Sequence, residues 1–128
     1  MPRVFKALEI EKEEKEIMRD YLDRHMPHDI CPDNIKRGEK FMVKVRMGEE
    51  YPHPDEDDHF ISMIQLWNRE TLIAEARYSA GANGHRPNHV EVDFYIVAPD
   101  VSMNLSAMAV CTKHGLWQSE DKAVKVTD

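Results

Sequence analysis

With 128 residues carrying 24 acidic and 17 basic side chains, a formal net charge of −7, the chain can bury one core but not comfortably two. The acidic balance argues against nucleic-acid binding, and no apolar run approaches the roughly 18 residues that a membrane span needs. A hydrophobic content of 41% excludes a disordered chain, and two cysteines set far apart exclude both a disulfide scaffold and a CxxC zinc or redox module.

Residues 3–22 predict an amphipathic helix, because Phe5, Leu8, Ile17, Met18, Tyr21 and Leu22 can share one face while the EKEEKE run offers Glu–Lys pairs to solvent. This opening is dense in charge and has no apolar signal segment, so a cytoplasmic location is expected. The stretch DRHMPHDICPDN (23–34) carries two prolines and reads as a loop that ends the helix at residue 22. Beyond it the hydrophobic period changes to two. KFMVKVRM (40–47) alternates well, and FISMIQLWN (60–68) is a longer apolar strand. ETLIAEARYSA (70–80), HVEVDFYIVA (89–98), MNLSAMAVC (103–111) and KAVKVT (122–127) follow, punctuated by Gly81, Gly84, Pro87 and Pro99. Six or seven short strands without intervening helices predict an all-β antiparallel sandwich or barrel. No linker divides the chain, so residues 1–22 read as a helical extension and residues 23–128 as one β domain.

Seven histidines map informatively onto this skeleton. His25 and His28 lie in the proline-rich loop, His53 and His59 bracket the acidic loop HPDEDDH, and His114 follows Cys111 at the end of a strand. A sandwich gathers its connecting loops at two ends, so these groups can meet although they are scattered in sequence. A Cys-x-x-His turn returns the backbone within three residues, which lets thiolate and imidazole reach one ion. Thiolate with neutral imidazoles suits zinc, copper or iron.

The same residues carry a resemblance. CTKHGLW (111–117) is similar to the CNxHGLW signature of the superoxide reductase family, the desulfoferrodoxins and neelaredoxins. GEEYPHPDEDDHFI (48–61) is similar to their GKEIPHPxxxxHxI segment, and DRHMP (23–27) resembles their EKHxP motif, so the likeness spans about residues 21–120. The four-cysteine rubredoxin-like module of some members is absent, as in the one-iron type. The resemblance implies an immunoglobulin-like antiparallel β-sandwich of about seven strands holding one iron ion per chain. Four imidazoles in a plane and an axial thiolate would leave the position opposite sulfur open in the ferrous state. Carried onto matching positions, the ligands are His25, His53, His59, His114 and Cys111, with His25 preferred over His28 because it is the histidine of His-x-Pro.

The implied reaction is one-electron reduction of superoxide to hydrogen peroxide, as a defence against oxidative stress. Four neutral imidazoles and one thiolate leave a ferrous site with a net charge of about +1, which attracts the anion locally despite the acidic chain. Backbone N–H groups of the 112–114 turn are expected to donate to the Cys111 sulfur, with Trp117 and Leu116 as an apolar wall. Asp23 and Arg24 stand where the family has Glu and Lys. The family glutamate closes on ferric iron, and Asp23 is one methylene shorter. Arg24 keeps the positive charge of the lysine and is expected to steer superoxide, but it stays protonated, so protons must come from water. The acids at 55–58 are expected to point outward, where they could meet a basic electron donor. The resemblance further implies a rubredoxin-like donor and a homo-oligomer, a tetramer being one form. The alternative is a non-catalytic metal-binding or electron-transfer sandwich. Blue-copper domains share a Cys-x-x-His loop, but they need a methionine where Gly115, Leu116, Trp117 and Gln118 follow.

Overall fold

The computed structural model describes residues 19–128, beginning with α1 (Arg19–His25). Residues 3–18 of the expected helix lie outside the described residues. At its other end the helix runs three residues past the boundary read from the prolines. Proline restricts only the residue immediately before it, here Met26, so α1 can continue to His25. Its last turn closes when the Met26 N–H donates to the Asp23 carbonyl at 3.0 Å. The His-x-Pro histidine therefore sits on a helix end, not in a loop.

Nine strands follow: β1 (Pro27–Ile30), β2 (Asn34–Lys36), β3 (Lys40–Met47), β4 (Ile61–Asn68), β5 (Thr71–Arg77), β6 (Glu91–Val97), β7 (Met103–Cys111), β8 (Gly115–Gln118) and β9 (Lys122–Thr127). The six long strands match the alternating segments of the sequence. The three short ones, β1, β2 and β8, have too few residues for a period to show. One sheet has the order β1-β3-β6, and the other runs β2-β9-β7-β4-β5 with β8 pairing β7. Every pairing is antiparallel except β2 with β9. Among the described residues no helix is long and apolar enough to cross a membrane.

The core lies between the two sheets. Alternation in β3 turns Phe41, Val43, Val45 and Met47 inward, against Ile61, Ile64 and Leu66 of β4 and Met103, Leu105, Ala107 and Ala109 of β7. Cys111 is the next member of the inward set on β7 and is fully buried at its end. Strand parity thus delivers the thiol to one end of the sandwich. The β7–β8 hairpin turns there through residues 112–114, with Gly115 at a φ of 82° facing Cys111 in the ladder. A three-residue hairpin needs such a left-handed position, and glycine fills it without strain.

Candidate metal centre

Three segments supply donors at this end of the sandwich. The α1 end presents His25, the hairpin presents Cys111 and His114, and His53 and His59 come from the connection between β3 and β4. One donor atom from each of His25, His59, Cys111 and His114 lies within 4.8 Å of the others. His53 completes the group, with Nε2 at 3.3 Å from the Cys111 sulfur. His114 Nδ1 lies 3.2 Å from His25 Nε2 and 3.7 Å from Cys111 Sγ. Four of the five residues picked out in the sequence thus bring donor atoms together, and His53 reaches the group through the Cys111 sulfur. His28 does not join them; it lies on β1, with Nδ1 3.9 Å from a Glu49 carboxylate oxygen.

Hydrogen bonds fix which nitrogen faces the centre. His25 Nδ1–H donates to the Tyr21 carbonyl at 2.6 Å, and His53 Nδ1–H donates to the Pro54 carbonyl at 2.7 Å. Each leaves an unprotonated Nε2 turned inward, the usual device for orienting a metal-binding imidazole. His114 differs, since Nδ1 is its inward atom. His59 Nε2 is buried and has no hydrogen-bond partner in the protein. A buried polar atom left unpaired costs free energy, and a cation at the centre would satisfy it. Burial pushes the His25 and His53 imidazoles down to about 4 and also lowers His59, so all three are neutral near pH 7. Burial raises the Cys111 thiol, while the backbone N–H groups of Lys113 and His114 favour its thiolate. The expectation for that turn thus holds at two of its three N–H groups. The third, on Thr112, donates to the Phe60 carbonyl at 3.0 Å instead. A bound divalent ion deprotonates a coordinating thiol outright, so the donor set fits a soft-to-borderline transition metal.

Each ligand segment has a brace. The Trp117 ring stacks on His25 at 4.9 Å and 16°, and its Nε1–H donates to the His114 carbonyl at 3.1 Å. Tyr21 packs edge-on against His114 at 5.1 Å and 84°, closing the same wall. His53 exchanges backbone hydrogen bonds with Asn88 at 2.9 and 3.0 Å. His59 exchanges them with Glu56 at 2.9 and 3.0 Å across a tight turn.

Thr112 contributes through its side chain as well. Its Oγ1 accepts the Phe60 N–H at 3.1 Å and donates to the Asp58 carbonyl at 3.4 Å, gripping both neighbours of His59 from the cysteine hairpin. Nothing in a lone Thr between Cys and Lys signals this, because the partners are 52 and 54 positions away.

Asp23 and Arg24 lie in the last turn of α1, just before His25. The Arg24 guanidinium is partly exposed and bonds Asp20 through the carbonyl at 3.1 Å and the carboxylate at 3.3 Å. Its charge is felt at both His25 and His53, adding a little to the depression caused by burial. The Asp23 carboxylate points at a neighbouring loop, where it accepts the N–H groups of Glu49, Glu50 and Tyr51 at 3.1, 3.0 and 2.7 Å. The acidic loop is divided. Asp55 is buried at 3% exposure and accepts the N–H groups of Asn83 and His85, because that turn offers donors with no other partner. Glu56, Asp57 and Asp58 remain exposed, so the outward expectation holds for these three and not for Asp55. Asp57 pairs with His85 at 2.9 Å. Cys31 is half-buried against the main core and takes no part in the centre.

Comparison with known proteins agrees with this geometry. The desulfoferrodoxin family model matches residues 10–120. The chain is 30% identical over 104 residues to a superoxide reductase of Thermococcus kodakarensis, covering 77% of this chain and 85% of that protein. It is 29% identical over 117 residues to a neelaredoxin of Megalodesulfovibrio gigas, covering 80% and 87%. In structure it resembles the superoxide reductase (neelaredoxin) of Ignicoccus hospitalis, with a TM-score of 0.71, 25% identity, and coverage of 97% and 95%. A match over most of the chain, falling on the segments that build the donor cluster, places this protein in the desulfoferrodoxin family.

Proposed function

We propose that the chain is a superoxide reductase, taking up two protons and releasing hydrogen peroxide for each superoxide reduced by one electron. The observation that carries this reading is the convergence of four donor atoms within 4.8 Å, with His53 Nε2 at 3.3 Å from the sulfur. In this reading one iron ion per chain is held by His25, His53, His59 and His114 through neutral nitrogens and by Cys111 through its thiolate. When bound, iron supplies the reducing electron and the Lewis acidity that draws in the anion.

The side chains around it have separate tasks. His25 and His53 keep their Nδ1 protons on backbone carbonyls, so their Nε2 lone pairs stay available without rearrangement. Trp117 and Tyr21 wall off the His25 and His114 side from water. Burial is the main cause of the lowered His25 and His59 imidazoles; Arg24 on one flank and Lys113 on the other add positive charge, which Glu56 and Asp58 partly offset at His59. In a chain of net charge −7 this local field steers the anion inward, since distant acids are screened within roughly 10 Å. Arg24 holds its own proton, so both protons of the product come from water.

The electron donor in this reading is a rubredoxin-like protein. The chain assembles with its own copies, for which the exposed Tyr95 and Val97 on the edge strand β6 offer apolar surface. The working compartment is the cytoplasm, where both cysteines persist as thiols.

Anaerobic purification with metal analysis, followed by stopped-flow mixing of the reduced protein with pulsed superoxide, tests the proposal. About one iron per chain and release of peroxide are expected. Zinc or copper in place of iron, or a reduced protein that leaves superoxide to dismutate unaided, would overturn it.

A further inference from the structure

Asp23 is half-buried at the end of α1, two residues before a donor of the cluster, and its carboxylate is fully engaged elsewhere. Oδ2 accepts the N–H groups of Glu50 at 3.0 Å and Tyr51 at 2.7 Å, and Oδ1 accepts that of Glu49 at 3.1 Å. Three successive N–H groups turned toward one point make a backbone nest, a concavity that binds an anion. Its mouth is kept open by Gly48, which has a φ of 75°; a Cβ there would meet the Tyr51 carbonyl at 2.8 Å and Asp23 Oδ2 at 3.4 Å. Two further bonds seal the junction, from the Gly48 N–H to the Met26 carbonyl at 2.9 Å and from the Met26 N–H to the Asp23 carbonyl at 3.0 Å. The loop in this nest leads directly to His53.

We infer that Asp23 is a positioning residue: it clamps the helix bearing His25 to the loop bearing His53, and it does not close on the metal. The inference deepens the reading of the cluster as an iron site and rests on it for the second half. A carboxylate accepting three N–H groups cannot leave for a metal without stranding all three donors. Asp suits the nest because its short side chain meets these N–H groups directly, and a carboxylate so engaged is not free to serve the cluster. The oxidised site then stays open to small anions.

Two measurements test this on the full chain. In the metal-free protein, amide hydrogen exchange at Glu49, Glu50 and Tyr51 should be slow. Asp23→Ala should accelerate it at least about tenfold while leaving the amides of Phe60 and Thr112 unchanged. Equal exchange at 49–51 in both proteins would overturn the clamp. In the iron-loaded, oxidised protein, the thiolate-to-iron charge-transfer band should keep its wavelength in Asp23→Ala, and added azide should bind both proteins with Kd values within about twofold. A shifted band with azide binding confined to the variant would show the carboxylate on the metal and sink the second half. If Asp23→Ala does not fold, Asp23→Asn, which keeps one acceptor oxygen, serves for both measurements. A wild-type protein that takes up no iron and shows no band would defeat the functional reading alone, because the exchange comparison needs no metal.

Discussion

Acidification of the metal-free protein probes the cluster without any assumption about turnover. His25 and His53 are fully buried, and burial lowers both from 6.5 to about 4. An imidazole that is harder to protonate when folded binds more protons in the unfolded chain, so stability is lost as pH falls through the interval between the two values. The loss should begin near pH 6.5 and level off near pH 4. At 1.36 kcal/mol per pKa unit each imidazole contributes on the order of 3 kcal/mol, and the pair on the order of 6. Asp29 acts in the opposite sense. Burial raises its carboxyl from 3.8 to about 6, so the folded state holds its proton more tightly and gains stability as pH falls through that range. Its contribution is about 2 kcal/mol after allowance for partial exposure. A net loss of about 4 kcal/mol between pH 6.5 and 4 follows, a large share of the 5–15 kcal/mol typical of a domain. Urea unfolding in the presence of chelator, followed by tryptophan fluorescence across that range, measures it. A double variant, His25→Gln with His53→Gln, should remove most of this loss, leaving the His59 loss and the Asp29 gain to oppose each other. A flat profile in the parent protein, or one unchanged in the double variant, would refute the claim that burial holds these rings neutral.

Other substitutions separate the roles of individual side chains. Cys111→Ser should abolish the thiolate-to-iron charge-transfer colour of the oxidised protein, and persistence of that colour would exclude sulfur as a ligand. His25→Ala should lower iron content sharply while His28→Ala leaves it unchanged, as metal analysis of the two purified variants will read. Thr112→Val removes two hydrogen bonds that hold the neighbours of His59, together worth about 1–2 kcal/mol, and should speed iron release to a chelator by about five- to thirtyfold. Thr112→Ser should restore the slower rate. Arg24→Ala should slow the second-order reaction with superoxide several-fold at low salt and flatten its salt dependence, with an unchanged rate removing Arg24 from steering.

Much of this molecule was legible before any coordinates. The alternation in KFMVKVRM and MNLSAMAVC predicted two core strands with the right ends, and strand parity in the second carried Cys111 inward. The histidine and cysteine motifs named the four clustered side chains and the His53 that touches their sulfur, because the Cys-x-x-His hairpin and the tight turn before His59 are local devices that a short stretch encodes in full. Sequence alone also set the net charge, and with it the need for nearby cations to draw in an anion.

Other features were decided only by the tertiary structure. The helix end at His25, the inward turn of Asp55 and the three short strands depend on which backbone donors lack partners after packing, and no periodicity records that. The choice between Nδ1 and Nε2 is set by carbonyls that each ring happens to meet. Asp23 and Thr112 take their roles from N–H groups 26 to 28 and 52 positions away. A hydrogen bond acts over about 3 Å whatever the sequence separation, so contacts of this kind exist only once the sheets have brought distant loops to the same end of the sandwich.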